Sequence, residues 1–126
     1  MGRTTFDPAV ENEWWPWPDF DVHVLTSRPL PEAGFGSVVK AHADPAAMVA
    51  ELGQRYSRDV LVLGGPSTVA SLLELGAIER LHVLVVPALL GHGLSLAQAP
   101  RRHRDLELLD QQTYPDGTVE LSYRPR

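Results

Sequence analysis

At 126 residues, 44% of them hydrophobic, the chain has enough material for one folded domain with one core. A net charge of -5 excludes nonspecific nucleic-acid binding by the surface as a whole, and the lack of cysteine excludes disulfides, thiolate catalysis and cysteine-held metals. No apolar run reaches membrane-spanning length and the start lacks a basic-then-apolar leader, so the expected setting is a reducing cytoplasm with no membrane partner.

In chain order, MGRTTFDPAVENEWWPWPDFD predicts a short helix starting either near Arg3 or at Asp7, with Asp7 as cap and Pro8 in the first turn. Trp14, Trp15 and Trp17 alternate with Pro16 and Pro18, where no helix continues; they are expected to cover a core edge, with a ligand wall as the second reading. DVHVLTSRPLP predicts a strand over residues 22–26, then a polar turn carrying Arg28. A short strand over residues 37–41 follows. Asp44 and Pro45 form an N-cap and first-turn pair, and the helix behind them turns Met48, Val49, Leu52 and Tyr56 inward.

DVLVLGGPSTVASLL comes next. Its continuous apolar run, residues 60–63, predicts a strand buried on both faces. Val69, Leu72 and Leu73 share one helix face, Pro66 suits the first turn, and Gly76 is the expected stop. The turn between, with Gly64, Gly65, Ser67 and Thr68, presents free N–H groups at the positive end of a helix. It is either a phosphate cradle or a tight turn that binds nothing. A second continuous apolar run predicts an interior strand over residues 81–86. Arg101, Arg102, His103 and Arg104 read as a solvated loop, with a phosphate contact as the minority reading. DLELLDQQTYPDGTVELSYRPR predicts a hairpin turning at Asp116–Gly117. His23, His42, His82, His92 and His103 are scattered without ligand spacing, so each reads as a surface or strand residue and no metal is expected.

Strands alternating with helices and then a hairpin predict one α/β domain over residues 1–126, with a mostly parallel central sheet, helices on both faces and an antiparallel C-terminal hairpin. Ligands of such sheets sit at the carboxyl ends of strands. Three turns are therefore candidates: Gly2, Arg3 and Thr4; Thr26, Ser27 and Arg28; and Gly64, Gly65, Ser67 and Thr68.

GRTTFD, VLTSRPLP, DVLVLGGPSTVASLLELGAIERLHVLVVPALLGHG and LELLDQQTYPDGTVELSY together resemble the dihydrofolate-reductase-like superfamily over nearly the whole chain. The branch resembled is the reductase domain of bacterial riboflavin biosynthesis, the C-terminal domain of the bifunctional deaminase-reductase. The resemblance implies NADPH as cofactor and hydride transfer to a pyrimidine-type substrate, one like a 5-amino-6-ribosylaminouracil phosphate. It assigns Gly2, Arg3 and Thr4 to a phosphate-contacting turn, and Thr26, Ser27 and Arg28 to the adenosine ribose and its 2′-phosphate. Gly64, Gly65, Ser67 and Thr68 fall to the pyrophosphate. No catalytic residue is assigned.

Two features depart from the family. GRTT lies well inside family members, behind a strand and a helix, whereas here it stands at the start; the expectation is an N-terminally truncated domain. The family's first strand lies between the counterparts of residues 60–63 and 81–86, so a homo-oligomer is expected to make good its absence. His92 replaces a usual glycine. The rival expectations are an inactive dinucleotide-binding module and a self-associating fragment.

Overall fold

The computed structural model describes residues 1–12, 15–31, 38–96 and 103–126. Trp14, Arg101 and Arg102 lie outside them, as does residue 37 of the expected second strand. The elements run α1 (Arg3–Glu11), β1 (Val22–Leu25), β2 (Val39–His42), α2 (Pro45–Arg55), α3 (Pro66–Glu74), β3 (Leu81–Val85), β4 (Leu106–Thr113) and β5 (Val119–Pro125). Among the described residues no helix is long and apolar enough to cross a membrane.

Local chemistry explains most boundaries. α1 takes the first of its two possible starts, with Gly2 at the N-cap. Asp44 caps α2 by accepting from the N–H groups of Ala46 and Ala47, with Pro45 behind it. α3 ends at Gly76, whose φ of 65° lets Gly76 N–H reach Leu73 O and Ala77 N–H reach Leu72 O. The hairpin turns where Asp116–Gly117 predicts: Gly117 has φ 85°, and Asp116 accepts from Thr118 N–H at 2.9 Å.

The expected α/β class holds, but the single mostly parallel sheet does not. Among the described residues β1 and β2 form a two-stranded parallel sheet, and β3, β5 and β4 form a separate antiparallel one in that order. The run at residues 60–63 is not a strand. It has no ladder partner among the described residues, and Leu61 is 74% exposed. An apolar run becomes a strand only when neighbours take up its N–H and C=O groups. Among the described residues β3 is paired on one edge only, with β5, and Leu84, Val85 and Val86 are exposed rather than interior.

Alternation along β1 sorts its side chains to two faces. Val22 and Val24 join Phe6 of α1 in a buried cluster, with Trp15, Trp17 and Leu30 packed against it. Trp15 stands edge-on to both Phe6 and Trp17, so these two tryptophans do cover the core edge. His23 takes the opposite face. The register pairs His23 with Lys40 and Leu25 with His42, which sets both histidines on the α2 side. Met48, Val49, Leu52 and Tyr56 all turn at least partly inward, but of the four only Met48 is fully buried.

Candidate functional site

The N-termini of α1 and α3 converge. A Cβ on Gly2 would stand 2.4 Å from Thr68 Oγ1, and one on Gly64 would stand 3.1 Å from Thr68 Cβ. These two glycines exist so that the two helix starts can touch, with the buried Thr68 wedged between them. Gly65 differs. Its φ of -67° and ψ of 171° suit any residue, and the nearest atom to a Cβ there is Thr4 Oγ1 at 3.8 Å. Its open face borders the Thr4 hydroxyl.

Neither helix start is capped by a side chain. Thr5 and Phe6 donate to Gly2 O, and Thr68 and Val69 donate to Gly65 O. The N–H groups of Thr4 and Ser67 have no acceptor among the described residues, while that of Arg3 turns to Leu25 O in the Gly2–Leu25 bridge. Two helix dipoles thus present their positive ends and free donors to one place, an arrangement suited to an anion.

The third turn joins through β1. Leu25 N–H donates to Met1 O at 2.8 Å and Gly2 bridges Leu25 in parallel, so Thr26, Ser27 and Arg28 follow directly beside the first turn. Thr26 Oγ1 accepts from Arg28 N–H at 3.1 Å. Asp7 ties the basic groups together: Arg3 Nε donates to its carboxylate, and Arg28 Nη2 lies 3.6 Å from its second oxygen. Arg3 Nη1 also donates to Pro29 O at 2.8 Å. Ser27 is exposed beside them, and Ser67 is exposed with its carbonyl accepting the Ser71 hydroxyl. All ten candidate residues therefore fall in three adjoining turns. Asp7 is the member that sequence reasoning missed in this role, having been weighed only as a cap; its spacing of four from Arg3 on one helix is the signal that identifies it.

An open, largely apolar cleft of about 520 Å³ adjoins the turns, lined by Thr5, Pro8, Ala9, Asn12, Trp17 and Leu63. Its size is that of a small-ligand pocket. Trp17 is thus both core cover and cleft wall.

On the other face of β1 the histidines are not scattered. His23 Nδ1 and His42 Nε2 are 2.8 Å apart and both residues are buried.

The described features can be set against known proteins. The family model described as the RibD C-terminal domain matches residues 14–119. An uncharacterized protein of Bacillus subtilis (strain 168), YyaP, is 22% identical over 117 residues. That match covers 93% of this chain and 62% of the relative, so the chain spans less than two thirds of that protein's length. Among solved structures, the "putative riboflavin biosynthesis protein" of Shewanella sp. PV-4 superposes with a TM-score of 0.86 at 21% identity, over 100% of this chain and 72% of that one. RibD from Acinetobacter baumannii gives 0.61 at 22% identity, over 83% of this chain and 31% of that one. A pyrimidine reductase-like protein from Corynebacterium diphtheriae gives 0.59 at 20% identity, over 82% and 50%. At these identities the structural likenesses speak to the fold.

Proposed function

Because the chain belongs to the RibD C-terminal domain family, we propose that it is a reductase of the riboflavin-biosynthesis type that binds NADPH across its three turns and serves a pyrimidine-type substrate. The observation that carries this reading is the meeting of two uncapped helix N-termini at Gly2, Thr4, Gly65 and Thr68. Free N–H groups and a glycine with an open face are what a pyrophosphate requires of a protein surface. Gly65, Ser67 and Thr4 would hold it. Arg28, 3.6 Å from Asp7 and 67% exposed at its side chain, would meet a 2′-phosphate.

The bound nicotinamide supplies the hydride. The chain's own part is to fix the charged end of the dinucleotide so that its ring is held in one orientation. The cleft lined by Thr5, Ala9, Trp17 and Leu63 begins one residue beyond Thr4 and ends one residue before Gly64, and on this reading it takes the apolar heterocycle side.

A second reading has its own support in the apolar run at residues 60–63, which has no ladder partner among the described residues, and in the exposed side chains of β3. On that reading the chain is a dinucleotide-binding module that self-associates and turns over no substrate by itself.

Titration with NADPH and NADH, followed by turnover with a ribosylaminouracil-phosphate substrate, separates these readings. NADPH is expected to bind more tightly than NADH, and Arg28→Ala to lose about 1.5–3 kcal/mol of NADPH affinity, the range of a charged hydrogen bond. Gly65→Val is expected to fold, since its backbone angles are ordinary, and to lose the dinucleotide. Binding with turnover supports the reductase; binding without turnover supports the module. Equal affinity for both cofactors, or a folded Gly65→Val chain with unchanged affinity, removes the assignment.

A further inference from the structure

The buried face between β1, β2 and α2 holds polar chemistry that the dinucleotide reading leaves unused. His23, His42 and Glu51 each offer one ligand atom, and these atoms all lie within 4.8 Å of one another. The hydrogen bonds around them fix the proton positions. Tyr56 Oη donates to Asp21 Oδ2 at 2.6 Å, so at 3.0 Å it accepts from His23 Nε2. His23 therefore carries its proton on Nε2 and turns the Nδ1 lone pair toward His42 Nε2, 2.8 Å away. His42 donates there from Nε2, leaving its Nδ1 facing Glu51 Oε2 at 4.0 Å.

We infer that His23, His42 and Glu51 form a site for a zinc-type divalent cation, with His23 Nδ1, His42 Nε2 and the Glu51 carboxylate as ligands. Three observations meet here. First, the donor set is right: two imidazoles and a carboxylate suit zinc, and three protein ligands leave a fourth position for water. Second, the spacing of the two imidazoles needs little change, and the Glu51 oxygen closes in from within 4.8 Å. Zinc–nitrogen bonds of about 2.0–2.1 Å in tetrahedral geometry hold two nitrogens roughly 3.3 Å apart, about 0.5 Å more than the present contact. Third, His23 already has the outer partner that metal-bound histidines keep, since its far N–H is held by Tyr56 and, through it, Asp21.

Charge and protons balance. The His42 proton moves from Nε2 to Nδ1, where it faces Glu51, so both rings bind as neutral ligands. The competitor is Lys40, whose Nζ donates to both Glu51 oxygens at 2.6 and 2.7 Å. Cation binding releases it to solvent, where it is already half exposed. Of the other nearby cations, Arg55 is engaged with Asp21 at 3.6 Å, and the Met1 ammonium donates to His23 O at 2.8 Å. Since His42 O accepts from Thr26 N–H at 2.7 Å, the cation would also stiffen the strand ends that carry the Thr26–Arg28 turn.

Calorimetric titration of the chelator-treated chain with Zn²⁺, and visible spectroscopy with Co²⁺, test the site independently of nucleotide binding. One equivalent is expected, with the intense visible absorption of tetrahedral Co²⁺. His82→Gln and His103→Gln, at the exposed His82–Glu120 and His103–Asp105 pairs, should leave both readouts unchanged. His42→Gln should abolish them, and Tyr56→Phe should weaken Zn²⁺ by about 10–100-fold. Lys40→Gln, at an exposed position where folding is not at stake, should tighten Zn²⁺ several-fold. No Co²⁺ band in the wild-type chain, a band lost with His82 or His103 instead, or a Lys40→Gln chain that binds no more tightly would each overturn the proposal. If His42→Gln does not fold, Lys40→Gln and Tyr56→Phe decide it.

Discussion

Thr68 and Gly2 are far apart in sequence, yet the space between them is the tightest at any glycine described. Thr68 is buried and cannot swing into solvent, so a methyl group on Gly2 must push the helix starts apart. Overpacking of this kind costs about 1–3 kcal/mol. Gly2→Ala is therefore expected to destabilise the chain by that amount, while Gly2→Ala combined with Thr68→Ala recovers most of it. The remaining neighbour, Thr68 Cβ, would be 3.7 Å from the new methyl, an ordinary contact. A double-mutant cycle in urea measures the coupling. Strictly additive losses would mean that the two helix starts are not held together by this contact.

At the level of elements, the hairpin gives the clearest pH dependence. Glu120 on β5 accepts from Tyr114 Oη at 2.6 Å and contacts His82 Nδ1 of β3 at 2.9 Å. Tyr114 first, and His82 second, hold its carboxyl below the ordinary value. A carboxyl with a depressed folded-state value adds stability above its unfolded value and loses it as pH falls through the folded one. Tyr114→Phe should move Glu120 back up and flatten the acid side of the stability profile, as read by NMR titration of the Glu120 carboxyl. An unchanged titration would show that Tyr114 has no part in it. The elements whose signals are local were legible in the sequence. Asp44–Pro45, Gly76 and Asp116–Gly117 each act on backbone within a few residues, and each does what its chemistry predicts. Residues 60–63 and the outer face of β3 were misread, because continuous apolarity reports a wish for burial and not the presence of a partner. The ten turn residues are candidates by their types alone, whereas Asp7's contact with Arg28 and the His23–His42 contact depend on how distant segments align. The parallel register that sets His42 diagonal to His23 has no signature in either strand alone.

For the molecule as a whole, Val60, Leu61, Leu84, Val85, Val86, Leu89 and Leu90 are large apolar side chains left exposed, five of them in β3 or within five residues of its end. Open strand edges beside such surface favour pairing with another chain. Self-association is the expected outcome in sedimentation at several low concentrations. A monomer across the whole range, with a high melting temperature, would contradict it. The division into two sheets has a consequence in time. No ladder hydrogen bond among the described residues links β1–β2 to β3–β5–β4, so an opening of one sheet need not break the other. Amide hydrogens of the β3–β5–β4 sheet, whose hairpin forms between residues close in sequence, should exchange with deuterium as one cooperative group. Those of Val22–Leu25 and Val39–His42 should exchange as another, slowed separately by whatever the turns beside them bind.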